Sequence, residues 1–176
     1  ASDVYKRQLF DNEEVGSATN QGAGATFLKN TLTRISHSLG YSYDETQAMI
    51  ARSFMISADN GHALHPNHGE YADPVNAPRL NEGIVIKFNA QQRYATDGFS
   101  AAFFRDLCRR VEVPTQTFTN RSDIPGGSTL GNISNTKVSM PTVDIGLPQL
   151  AMHSSYETAG TKDTAYLVQA CTAFFE

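Results

Sequence analysis

Short apolar runs of strand length, alternating with stretches of helical period, constrain this chain more than any other feature. FMISA (54–58) and GIVIKF (83–88) are too short for buried helices and are bounded by polar or glycine-bearing sequence. VPTQTFT (113–119) is extended, and VSMPTVDIGL (138–147) contains a further strand interrupted at Pro141. Between them, Leu28, Leu32, Ile35 and Leu39 recur at helical spacing from Phe27 until Gly40 stops them. Asp44 is placed to cap a second helix through Met49 and Ile50. Phe99, Phe103, Leu107 and Val111 share one face of a helix between Asp97 and Glu112, and Leu167, Ala170, Cys171 and Phe174 make a last amphipathic helix from Lys162. Strands alternating with helices predict a layered α/β fold, a mixed or mostly parallel sheet flanked by helices. The 176 residues, 40% hydrophobic, supply one core, and no repeat or linker divides them. They read as one domain or part of a larger one.

Charge and composition exclude some functions. A net charge of -4 and a pI near 5.7, with 14 Lys and Arg scattered along the chain, provide no basic stripe for a phosphate backbone, so no nucleic-acid partner is expected. No apolar run approaches the roughly 20 residues needed to span a bilayer, and no basic-then-apolar leader is present, so the chain reads as cytoplasmic with no membrane partner. Cys108 and Cys171 fall within helical apolar patterns and are expected to be packed thiols. ASDVYKRQ (1–8) fits the alternation poorly and reads as a non-native junction, leaving 9–176 as the natural segment, which would extend upstream of Leu9.

The chemistry-bearing residues collect beside glycine-rich or irregular chain. LFDNEEVGS (9–17) sets Glu13 and Glu14 side by side before a glycine turn, and adjacent residues of an extended chain point to opposite sides. One could bind a metal while the other faces a water on it. Such a pair is also what a solvated charge cluster ahead of a helix looks like. Asp59 follows FMISA and opens a loop, rich in Pro, Asn, His and Gly, that runs to Gly83, while His153 lies in LAMHSSYE. Taken singly, a histidine such as His153 is more often a packed, hydrogen-bonded core residue than a metal ligand. Together, a carboxylate and imidazole set without cysteine suits Zn²⁺, Mn²⁺ or Co²⁺ at the ends of strands, where open α/β sheets form their sites.

The words FDNEEVGS, SADNGHALHPN, LNEGIVIK, QRYATD, RSDIPGGSTLGNIS and DIGLPQLAMHSSYETAG, in this order across nearly the whole chain, resemble the C-terminal part of the aspartyl aminopeptidase family of dinuclear metallo-exopeptidases, in its bacterial branch. The resemblance implies a zinc-exopeptidase-like partial domain with Glu13 as general base, Glu14 and His153 as ligands of one metal, and Asp59 as a ligand of the other. It implies two divalent ions, Zn²⁺ with Mn²⁺ or Co²⁺ as alternatives, a peptide substrate and a homo-oligomeric full-length protein. It further implies that a histidine and a bridging aspartate lie upstream, so that the fragment alone is inactive. Lys87 is expected to meet an acidic N-terminal substrate residue, His62 and His65 to orient a ligand or the intermediate, and Gly127 and Ser128 in the glycine turn to bind peptide. The rival readings are a related metal amidohydrolase or deacylase and a non-catalytic shell or cargo subunit of the same fold.

Overall fold

The computed structural model describes residues 5–176, so residues 1–4 of the junction-like segment lie outside the described residues. In chain order the elements are α1 (Phe27–Ser38), α2 (Tyr43–Ala51), β1 (Met55–Ala58), β2 (Gly61–His62), β3 (Ile84–Phe88), α3 (Gly98–Arg110), β4 (Thr115–Thr119), α4 (Leu130–Asn135), β5 (Thr142–Gly146), β6 (Pro148–Leu150), β7 (Thr158–Ala159) and α5 (Thr161–Phe175). The main sheet has the order β1-β5-β3-β4, and a small second sheet the order β2-β6-β7. The main sheet is mixed: β1 runs parallel to β5 and β3 parallel to β4, but β3 and β5 are antiparallel.

Strand alternation gives the main sheet two unlike faces. One carries Ile84, Ile86, Val143 and Ile145, which form the core with Ala101, Phe104 and Cys108 of α3 and Ala170 of α5. The other carries a polar row. Ser57 pairs with Asp144, and because Ile86 faces Ile145 across the antiparallel pair, Lys87 comes opposite Asp144, with Phe118 on its far side. Ser57, Asp144 and Lys87 are all buried, at 5%, 0% and 2% exposure, which for the two charged groups is unusual and points to cover from the loops above them. Val85, Tyr94 and Phe118 form a small apolar cluster on this side.

The structure departs locally from the sequence-based expectations. The buried stripe of α3 is Ala101, Phe104 and Cys108, whereas Phe99 and Phe103 are 63% and 41% exposed. The helix starts at its Asp97 cap, whose carboxylate accepts the Ser100 N–H at 2.7 Å, and that phase turns Phe99 outward. Helix α2 is capped by Ser42 rather than Asp44, in a reciprocal capping box with Glu45. Leu9 and Phe10, the apolar pair ahead of Glu13, lie in no described strand or helix, and Leu9 is 80% exposed. The expected loop from Asp59 to Gly83 contains β2 and a 3₁₀ turn at Gly69–Tyr71, and the glycine turn runs directly into α4. Antiparallel β3 sends its C-terminal end away from that of β1, so Lys87 and Asp59 do not leave their strands at the same end of the sheet.

Candidate active site

Glu13 and Glu14 lie in an irregular turn, where the Gly16 N–H donates to the Asn12 carbonyl at 3.0 Å. Asp59 follows β1 directly, and its N–H continues the ladder to the Ile145 carbonyl at 3.0 Å. The Asp59 carbonyl sits where a side chain on Gly146 would have to go, so a residue without Cβ is required at that crossing. His153 lies beyond β6 with φ +66°, two residues after Ala151 at φ +54°, both in the left-handed region that side chains disfavour. The Glu157 carboxylate accepts the His153 N–H at 2.6 Å and fixes this turn.

These placements bring together residues from distant parts of the chain. His153 Nε2 lies 2.7 Å from Glu14 Oε2, with both side chains about two-thirds exposed, at 65% and 68%. Asp59 pairs instead with Lys87, Nζ to Oδ2 at 3.4 Å, and the same ammonium donates to the Asn60 carbonyl at 2.8 Å. The Lys87 side chain thus travels along the sheet face to reach the end of β1. Tyr94 lies under it, the ammonium 5.6 Å from the ring centroid.

Charge connects the two pairs. The Glu13 carboxyl is raised above its ordinary value, first by burial and then by Asp59 and Glu14, with Lys87 and His153 opposing. The His62 imidazole is lowered by desolvation and then by His153 and Lys87, so His62 shares this neighbourhood. The Lys87 ammonium is lowered by burial, against the counter-pull of Asp59 and Asp144. His65 belongs elsewhere: its ring stands 5.0 Å from that of His68, and its Nδ1 accepts the Asn67 N–H. Gly127 and Ser128 are exposed on the turn leading into α4.

Glu14 and His153 are donors of a type suited to zinc, already within contact of each other. Among the described residues, however, no group of three or more His, Cys, Asp or Glu is arranged to hold a metal ion. The chain's own residues therefore fit a metal as a partial donor set. Sequence reasoning missed Asn60, Tyr94, Asp144 and Glu157. Only Asp144 left a signal, a charged residue inside the apolar run TVDIG.

Comparison with known proteins agrees with this fold. The family model for aminopeptidase I zinc metalloproteases (M18) matches residues 2–175. The protein named "Probable M18 family aminopeptidase 2" from Clostridium acetobutylicum is 49% identical over 166 residues, covering 94% of this chain and 38% of that protein. Its namesake from Stutzerimonas stutzeri is 49% identical over 165 residues, with the same coverage of 94% and 38%. Among solved structures, a complex of Ape4 and Nbr1 superposes with a TM-score of 0.89 at 40% identity, covering 94% of this chain and 31% of the other. The S. cerevisiae mApe1 dodecamer follows with a TM-score of 0.81 at 30% identity, covering 94% and 36%. An M18 aminopeptidase from Thermotoga maritima gives 0.80 at 27% identity, covering 94% and 38%. The chain spans under two fifths of the length of the curated relatives it matches. Fold, motif order and family match agree: this chain belongs to the M18 family of aminopeptidase I zinc metalloproteases.

Proposed function

We propose that the chain is the C-terminal part, residues 9–176, of the catalytic domain of a cytosolic metallo-aminopeptidase that removes N-terminal Asp or Glu residues from peptides. The observation that carries the reading is the Glu14–His153 contact at 2.7 Å, which joins the two ends of the chain beside Glu13. Glu14 and His153 hold one divalent ion, Asp59 helps to hold a second, and the remaining ligands come from the part of the protein that its relatives have and this chain does not. When bound, the ions supply Lewis acidity to the scissile amide and the attacking water, with Zn²⁺ favoured and Mn²⁺ or Co²⁺ as alternatives.

Glu13 takes the proton of the attacking water and delivers it to the departing amine. A carboxylate beside cations stays ionised at neutral pH and so can accept that proton. Lys87, whose Nζ lies 3.4 Å from Asp59, is the group assigned to the acidic side chain of the substrate, His62 orients the bound group, and Gly127 and Ser128 meet the peptide backbone. For His65 the structure supplies no such support, since it packs with His68. The full-length protein is proposed to be a homo-oligomer, as the dodecameric relative is. The test is release of free aspartate from Asp-containing dipeptides by the full-length protein. Deacylation of N-acyl amino acids in its place would favour an amidohydrolase, and turnover of neither would favour a shell or cargo subunit.

A further inference from the structure

Asp144 is fully buried, lies in the middle of β5, and among the described residues makes no ion pair. A carboxylate so placed is costly unless donors surround it, and an apolar residue would fill a sheet face more cheaply. Its hydrogen-bond partners come from two loops. From the loop between β3 and α3, the Ala95 N–H donates to Oδ2 at 2.5 Å. The Thr96 hydroxyl on the same loop accepts the Asp144 N–H at 2.8 Å. From the loop between β4 and α4, the Thr129 hydroxyl donates to Oδ1 at 2.9 Å. Gly131, in the first turn of α4, lies so close that a Cβ there would collide with the carboxylate. These loops also form the walls of a cleft of about 670 Å³, with Asn89, Gln91 and Thr96 on one side and Asn120, Arg121 and Gly126 on the other. Gly127 and Ser128 immediately precede the tethered Thr129.

We propose that Asp144 is a positioning residue for peptide binding: its carboxylate ties the Ala95–Thr96 segment to the Gly127–Thr129 turn and holds both walls of the cleft in one register. The inference rests on the aminopeptidase reading for its substrate, while the coupling of the two loops stands on the hydrogen bonds alone. A turn that binds the peptide equally in ground and transition states changes KM more than kcat when it is loosened.

The experiment uses the full-length protein as wild type, Thr129→Val, Thr129→Ser and Gly131→Ala, with amide hydrogen exchange, metal affinity by chelator competition, and hydrolysis of an N-terminal aspartyl dipeptide. Thr129→Val removes one buried donor and is expected to speed exchange in both 94–97 and 126–132, raising KM about tenfold with kcat within about twofold and metal affinity unchanged. Thr129→Ser, which keeps the hydroxyl, restores wild-type behaviour. Gly131→Ala disturbs the carboxylate from the helix side and shifts KM in the same direction, which keeps the test decisive if Thr129→Val folds poorly. Faster exchange confined to the turn, or equal loss of kcat and metal binding in all variants, overturns the inference. A wild-type protein that hydrolyses no peptide removes the aminopeptidase reading, and the paired exchange response then still decides whether Asp144 couples the loops.

Discussion

Glu13 and Glu14, neighbours in sequence, sit in different surroundings: Glu14 is in contact with His153, whereas Glu13 is partly buried and feels several charges without an ion pair of its own among the described residues. In the full-length protein, Glu13→Gln is expected to keep the metal content and lower kcat by about 100-fold, as for loss of a general base, whereas Glu14→Gln weakens metal binding itself. Metal analysis beside steady-state kinetics checks both, and equal metal loss in the two variants would end the division of roles. Lys87→Met removes a buried cation and is expected to cost Asp- and Glu-initiated substrates roughly 2–4 kcal/mol of transition-state binding while neutral ones lose less. Parallel kcat/KM measurements on acidic and neutral dipeptides read the difference, and an equal fall in both would make Lys87 structural. At this scale residue types were legible in the sequence but partners were not. Asp59 could be read as a strand-end carboxylate, yet its pairing with Lys87 depends on a four-carbon stem lying along the sheet. The left-handed turn at His153 depends on a hydrogen bond to Glu157 that no periodicity reports.

Among the elements, α3 shows how a correct helix can present an unexpected face. Its existence and its Asp97 start were readable from spacing and capping, but aromatic size suggested burial of Phe99 and Phe103 while the cap set the phase that buries Phe104. Phe104→Ala is therefore expected to destabilise by about 3–5 kcal/mol and Phe99→Ala by under about 1 kcal/mol, measured by denaturant unfolding. A larger cost at Phe99 would show that the packed face has been misassigned. On the same helix, burial pushes the Cys108 thiol up to about 12, with the neighbouring Cys171 adding to the shift. At pH 8 Cys108 is expected to resist iodoacetamide in the folded protein and react on unfolding, because the thiolate is the nucleophile. Rapid alkylation of the native protein, read by mass spectrometry, would contradict its burial. The short strands β2, β6 and β7 were the least legible elements, since two- and three-residue pairings arise from the partner's position rather than from a local pattern.

For the whole molecule, the incomplete donor set has a direct outcome. The 176-residue chain alone is expected to bind at most one weakly held ion and to be inactive, while supplying the remaining part of the full-length protein restores two ions and turnover. Metal analysis and dipeptide hydrolysis on both preparations check this, and full activity of the chain alone would overturn the ligand assignment. The layered α/β class was legible from strand and helix alternation, but the reversal of β3 against β5 was not, because pairing direction is set by which strands meet across the sheet. That reversal and the alternation of side chains leave an oily side toward α3 and α5 and a charged side beneath the loops. An engineer seeking heat resistance has, in consequence, two separately adjustable surfaces on a single sheet. Substitutions around Phe104 and Ala170 act on the oily layer and substitutions in the loops act on the charged side, so stability changes found separately on the two sides are expected to combine additively.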